Sequence, residues 1–64
     1  MKTIEEIREI VANMTDTLFD TINTAENDYW DLDKRVSRNG YRRLVYNLNK
    51  TGLTLAEWWI WCDD

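Results

Sequence analysis

A stripe of apolar residues at helical spacing runs through the first half of the chain. Its members follow one another by steps of three or four residues, close to the α-helical period of about 3.6. The chain has no proline and only two glycines, too few breakers for the many turns of a β-sandwich or barrel. We therefore expect one all-α domain over residues 1–64, a small bundle of three or four helices. The stripe comprises Ile4, Ile7, Val11, Met14, Leu18, Ile22, Ala25, Tyr29, Leu32 and Val36.

The stripe is too long for one helix of a compact monomer. A helix over residues 4–38 would extend about 50 Å at ~1.5 Å per residue, a length that fits only a coiled-coil dimer. Thr3 and Glu6 have the spacing of a capping box, and the threonines, asparagines and aspartates near the middle are mediocre helix formers. We predict a first helix over about Ile4–Ile22 and a second over about Ala25–Arg38. A dimer through the N-terminal helix is the alternative.

Two glycines divide the second half. Asn39-Gly40 is predicted to end the second helix, with Gly40 in the left-handed conformation. Asn-Gly is also typical of a β-hairpin turn, but the flanking residues do not alternate in polarity. A third helix is expected from Tyr41 to about Lys50, ended in the same way by Gly52. Its predicted buried face comprises Tyr41, Leu44, Val45 and Leu48.

A short tryptophan-rich helix is predicted at the C-terminus, over about Leu55–Cys62. Thr54 and Glu57 form a second capping-box pattern, in which each side chain bonds the other residue's backbone N–H. Leu53 and Trp58 have the spacing of a hydrophobic staple across the same cap.

The tryptophans are the main candidates for contact with a partner. Trp58, Trp59 and Trp61 occupy this short helix, and tryptophan is enriched among the residues that dominate binding energy at interfaces. The alternative is that Trp58 and Trp59, together with Trp30, hold a small core. Cys62 is expected to pack as a small apolar residue.

Charge is divided unevenly along a chain of net charge −4. Residues 1–33 carry nine acids and two bases, residues 34–50 carry six bases and no acid, and residues 51–64 carry three acids. A run of carboxylates along the first two helices is therefore a second candidate protein-binding surface, one that mimics nucleic-acid phosphates and occupies a basic groove. Its residues are Glu5, Glu9, Asp16, Asp20, Asp28 and Asp31.

The basic segment supports an alternative function. Arg42 and Tyr46 lie four residues apart and so share one helix face, to which Arg43 and Lys50 add positive charge. Such a surface grips phosphates and stacks a base in nucleic-acid-binding proteins. The overall acidity opposes a long-range approach to DNA, so nucleic acid is the less favoured partner.

Catalysis, metal binding and membrane insertion are each disfavoured by composition. There is no histidine for acid–base chemistry and no glycine-rich phosphate loop, so we expect no enzyme activity and no cofactor. Cys62 is the only cysteine, which argues against a zinc site and favours the reducing cytoplasm. No apolar run approaches the roughly 20 residues of a membrane span, and the N-terminus is too charged for a signal peptide.

One segment resembles part of a known family. Leu44–Glu57 is similar to the first helix and turn of repressor-type helix-turn-helix domains, in which a Leu-Thr turn opens the second helix. The resemblance ends at Trp58, because bulky aromatic residues follow where that family has small ones. DNA binding is therefore not inferred from it. The matching turn reads Gly52-Leu53-Thr54-Leu55-Ala56-Glu57.

These features together favour a small acidic protein that acts by binding another macromolecule. The expected partner is a protein with a basic groove or an apolar pocket. By analogy of size and composition, we expect an inhibitor or modulator of the kind that phages encode, with a nucleic-acid mimic as one form of it. A nucleic-acid-binding protein and a structural homodimer are the alternatives.

Overall fold

Four α-helices form a small bundle in the computed structural model, which describes residues 1–63. They are α1 (Ile4–Ala12), α2 (Asp16–Tyr29), α3 (Lys34–Thr51) and α4 (Leu55–Asp63). No β-strand occurs within this part of the chain, so the all-α prediction is confirmed and the hairpin alternative is wrong. α2 and α3 pack along each other as an antiparallel pair, and α1 packs mainly against α4.

The first predicted helix is wrong in its length, because the chain leaves the helical conformation between α1 and α2. Thr15 has an extended backbone, and its hydroxyl accepts a hydrogen bond from the backbone N–H of Leu18 at 3.1 Å. Such an N-cap stabilises a helix by about 1 kcal/mol, and Asp16 adds a negative charge to the first turn. The break predicted further on is absent, because Ile22 and Ala25 lie fully buried within α2.

The second predicted helix, Ala25–Arg38, is also wrong, because residues 30–33 form a loop. Asp33 is the N-cap of α3, and its Oδ1 accepts a hydrogen bond from the backbone N–H of Arg35 at 2.8 Å. Asp31 holds the loop, since its Oδ1 accepts the backbone N–H of Asp33 at 2.8 Å. The side chains that the sequence pattern assigned to a helix surface therefore build a turn and a cap.

Gly40 lies inside α3, so the prediction that it ends a helix is wrong. It is buried where α2 crosses closest to α3. A methyl group built on Gly40 would lie 2.7 Å from the carbonyl oxygen of Ala25 and would also collide with the backbone of Tyr29. Glycine is therefore needed here for close helix packing, and α3 continues through the position that was predicted to separate two helices.

The predicted caps and helix at the C-terminus are confirmed, but Cys62 is exposed, so the expectation that it packs as a small apolar residue is wrong. Gly52 is left-handed at φ 85° and ends α3, after which α4 extends one residue beyond the predicted helix. In the capping box, Thr54 N–H donates to Glu57 Oε1 at 2.9 Å, and Glu57 N–H donates to Thr54 Oγ1 at 3.2 Å. Leu53 and Trp58 are both buried beneath this cap, as expected of a staple. The Thr3–Glu6 capping box of α1 is likewise present.

A single apolar core joins the four helices. The predicted stripe is buried or half-buried from Ile4 to Tyr29, but Leu32 and Val36 are exposed. Leu32 lies in the 30–33 loop, and this loop interrupts the helical period before Val36. On α3 the predicted face is half right, since Leu44 is fully buried whereas Tyr41 is exposed. The fully or nearly buried apolar residues are Ile7, Val11, Ile22, Ala25, Leu44, Leu48, Leu53 and Trp58.

Candidate interaction surface

The tryptophans of α4 divide between the interior and the surface. Trp58 is completely buried, with its ring edge-on to Phe19 at 6.0 Å and stacked on Trp61 at 5.2 Å between centroids. Trp61 also meets Phe19 edge-on at 5.7 Å. Trp58 and Trp61, three residues apart on one helix face, therefore complete the core, as the alternative interpretation expected for Trp58.

Four aromatic rings from three helices form an aromatic patch on the surface, defined here as Tyr29, Trp30, Tyr41 and Trp59. Tyr29 is central: its ring lies 4.9 Å from Trp30, 5.6 Å from Tyr41 and 6.3 Å from Trp59. Trp30 and Trp59 also face each other at 6.3 Å. The patch thus joins the C-terminal end of α2 to α3 and α4.

The patch is open to solvent at its outer rings. Trp30 is 65% exposed and Tyr41 is 45% exposed, whereas Tyr29 and Trp59 are half-buried beneath them. Leu32, in the loop that follows Trp30, is fully exposed. Trp30 is the C-cap of α2, so its side chain projects from the helix end and not from a core-facing helix position. The interpretation that placed Trp30 in the core is therefore wrong.

The candidate acidic surface is spread over two separate helices and the following loop. Glu5, Glu9, Asp16 and Asp20 are exposed on α1 and α2. Asp28 forms an ion pair with Arg43 across the α2–α3 contact, and Asp31 accepts a hydrogen bond within the 30–33 loop. These last two carboxylates are thus already engaged in holding the fold, while the four on α1 and the start of α2 remain available at the surface.

The basic residues also differ in availability. Arg43 is paired with Asp28, and Lys50 lies over the ring of Tyr46 at 4.6 Å. Within residues 1–63, no ion pair engages Lys34, Arg35, Arg38 or Arg42. Together with Asp33, Val36 and Asn39, these four line a shallow groove along the N-terminal half of α3. Arg42 lines this groove and also belongs to the predicted basic surface of Arg42, Arg43, Tyr46 and Lys50, whose other members lie further along α3.

Glu57 is a buried carboxylate that ties the two ends of the chain together. Its Oε2 accepts the backbone N–H of Lys2 at 2.8 Å, and the Lys2 ammonium donates to the carbonyl of Gly52 at 2.7 Å. The backbone hydrogen bonds from Lys2 and then Thr54 lower the pKa of Glu57 from 4.5 to about 2. Since every one of these partners belongs to the fold, the role of Glu57 is structural.

The aromatic patch contains residues that sequence reasoning missed. Trp59 was a candidate, but Tyr29 and Tyr41 were assigned to buried helix faces and Trp30 to the core. The sequence feature that could have indicated an exposed Trp30 is its position among Asp28, Asp31 and Asp33, since clustered aspartates are typical of a helix end. The pairing of α2 with α3, which brings Tyr29 to Tyr41, was not readable from spacing along the chain.

Neither a metal centre nor a membrane span is seen in the described part of the chain. Among residues 1–63, acidic side chains and the thiol do not gather in groups of three or more that suit a metal ion. None of the helices combines the length and apolar character needed to cross a bilayer. Comparison with known proteins found no matching family model, no matching curated protein and no matching solved structure.

Proposed function

We propose that this protein acts without catalysis, by binding another protein in the cytoplasm through the aromatic patch, and that it inhibits or modulates that protein. The observation that carries the proposal is the exposure of Trp30 at the head of a four-ring cluster. An indole held against neighbouring rings yet open to solvent is the typical anchor of a protein interface, where tryptophan and tyrosine dominate the binding energy.

The construction of the patch supports docking in two ways. Burial of apolar ring surface in an interface contributes roughly 25 cal/mol per Å². The rings are also held by one another, so their side chains lose little conformational freedom when a partner binds. Rigid aromatic anchors of this kind allow a small protein to bind tightly through a limited area.

Affinity capture from a lysate of the native host tests the proposal. We expect a protein partner to be retained by the wild type and lost with Trp30→Ala, with binding weakened by about 2 kcal/mol or more. Tyr46→Ala is the matched control, since Tyr46 is an exposed aromatic residue outside the patch. Equal retention by Trp30→Ala and wild type would contradict docking through the patch.

The acidic surface is an alternative docking route for the same proposal, and salt distinguishes the two. Binding through Glu5, Glu9, Asp16 and Asp20 would weaken steeply as salt is raised, because the partner's groove would be basic. Glu9→Lys combined with Asp16→Lys would then abolish capture. Binding through the aromatic patch is expected to change little over the same washes.

A second candidate function is binding of nucleic acid by the basic groove of α3. The observation favouring it is that Lys34, Arg35, Arg38 and Arg42 are exposed and form no ion pair within residues 1–63. A gel shift at low salt tests it: retention of DNA or RNA that is lost with Arg38→Ala would favour this function. Absence of any shift would remove it. A structural homodimer would instead show a doubled mass and no outside partner.

A further inference from the structure

A groove at the edge of the aromatic patch joins aromatic surface to negative charge. It lies between the C-terminal ends of α2 and α4 and is lined by Glu26, Trp30, Trp59, Cys62 and Asp63. The two indole rings are 6.3 Å apart and inclined at 37°, so they form an open aromatic wall. Aromatic faces attract cations through the ring quadrupole, most strongly for tryptophan.

The carboxylates of Glu26 and Asp63 give this groove its negative charge. Within residues 1–63, no lysine or arginine forms an ion pair with Glu26 or Asp63. The last turns of α2 and α4 contain no basic residue, although cations are the side chains favoured at the negative end of a helix dipole. Two helix ends and two carboxylates therefore add their negative potential at one place on the surface.

The thiol of Cys62 lies in the groove, and its pKa is affected by this negative potential. Partial burial first, and then the negative charges of Glu26 and Asp63, together raise the pKa of this exposed thiol from 9.0 to about 11. Lys2 bonds Glu57 and Arg43 pairs with Asp28, and neither pair lies in the groove. Within residues 1–63 the groove is thus both aromatic and negative, and a cation from another molecule would complement it.

We infer that this groove receives an arginine side chain of the partner protein, an inference that rests on the proposed function. A guanidinium is planar and weakly hydrated, so it stacks on an indole face while its N–H groups reach carboxylates at the edge. Glu26 and Asp63 supply those carboxylates, and Trp30 and Trp59 supply the faces. Arginine would thus be the specificity-determining residue of the partner, with the rest of the aromatic patch covering apolar surface around it.

The first experiment uses the free protein and a small probe. Isotope-labelled protein is titrated with N-acetylarginine amide, with N-acetylcitrulline amide as an uncharged control of similar shape. We expect saturable shifts of the Trp30 and Trp59 indole N–H signals with the arginine probe only. Glu26→Gln should weaken this binding about tenfold or more, whereas Asp20→Asn, an exposed carboxylate of α2 outside the groove, should not. Asp63→Asn is a second groove variant, and circular dichroism checks that each variant is folded.

Three results of the titration would overturn the inference: equal shifts with the citrulline probe, unchanged binding by both Glu26→Gln and Asp63→Asn, or tighter binding of N-acetyllysine amide. The captured partner gives an independent test, in which the groove variants should lower affinity about tenfold and Asn27→Ala, at an exposed residue of α2 outside the groove, should not. If Trp30→Ala loses the partner while Glu26→Gln and Asp63→Asn retain it, the proposed function stands and the arginine inference fails. If Trp30→Ala also retains the partner, docking through the aromatic patch fails and the arginine inference fails with it.

Discussion

At the scale of single residues, Glu57 is a carboxylate that bonds both to the start of α4 and to the N-terminal segment. It is only 2% exposed, yet its carboxylate keeps its charge because backbone N–H groups from both ends of the chain donate to it. One oxygen caps the start of α4, while the other holds the N-terminal segment through Lys2. A residue that the sequence identified as a local cap is therefore also a long-range tether.

This arrangement predicts acid sensitivity. The pKa of Glu57 is lower in the folded protein, about 2, than its ordinary value of 4.5, so the unfolded chain binds the proton more readily. The stabilisation is complete above about pH 4.5 and is lost as pH falls towards about 2. We expect the free energy of unfolding, measured by urea titration, to fall through this window. Glu57→Gln should be less stable at neutral pH. Its free energy of unfolding should also change less between about pH 4.5 and about pH 2.

The matched control for this prediction is Glu9→Gln. Glu9 is exposed on α1, and within residues 1–63 its side-chain carboxylate accepts no backbone hydrogen bond. We expect its substitution to leave the acid dependence of stability as in the wild type. An equal acid dependence in wild type and Glu57→Gln would contradict the role assigned to the buried carboxylate. Part of the dependence should remain in Glu57→Gln, because hydrogen bonds from Thr3 lower the pKa of Glu6.

At the scale of elements, the α2–α3 pair depends on the absence of a side chain at Gly40. We predict that Gly40→Ala destabilises the protein by about 1–3 kcal/mol, because the added methyl group meets the α2 backbone and forces the helices apart. The gain in helix propensity, about 1 kcal/mol for alanine over glycine, opposes this loss only in part. Thermal unfolding followed by circular dichroism measures the difference.

A substitution at the neighbouring Asn39 measures the effect of helix propensity without a change in the packing of α2 against α3. Asn39 is exposed on the same helix turn, so Asn39→Ala gains helix propensity without meeting α2. This control is expected to be as stable as the wild type or slightly more stable. If Gly40→Ala were stabilised to the same extent, the close approach of α2 and α3 would be contradicted.

At the scale of the whole molecule, the fold depends on a few large side chains. A domain of this size has a stability of only about 0.05–0.15 kcal/mol per residue. Trp58 fills the centre of the bundle and contacts Phe19 and Trp61. Replacement of such a residue by alanine removes about 3–5 kcal/mol. We therefore predict that Trp58→Ala loses most of its helical circular dichroism at room temperature.

Trp30→Ala is the control at this scale, since it removes the same side chain from the surface. It should unfold close to the wild-type midpoint, which also makes it suitable for the binding experiment. A cooperative wild-type-like transition in Trp58→Ala would show that the core does not depend on this ring. Trp58→Phe should lie between the two, because its loss of volume is smaller and it removes an indole N–H that has no acceptor within residues 1–63.

The sequence by itself determined the features that depend on residues close together in the chain. Helical period, the capping boxes at Thr3 and Thr54, and the left-handed Gly52 each involve bonds or conformations within a few residues. Helix lengths were harder to predict from the sequence, because threonine and aspartate occur both as weak helix formers inside helices and as caps at helix ends. At Thr15 and Asp33 the structure uses them as caps, and the predicted boundaries were therefore wrong.

Only the tertiary structure decided which surfaces face solvent. Gly40 is a packing residue because α2 happens to cross there, and Tyr29 meets Tyr41 only through that crossing. Trp59 reaches Trp30 from a helix 29 positions later, and Lys2 reaches Glu57 across 55 positions. Composition supplies the rings and charges of a binding surface, but their juxtaposition depends on how the helices pack. The aromatic patch and its negative groove are consequences of that packing.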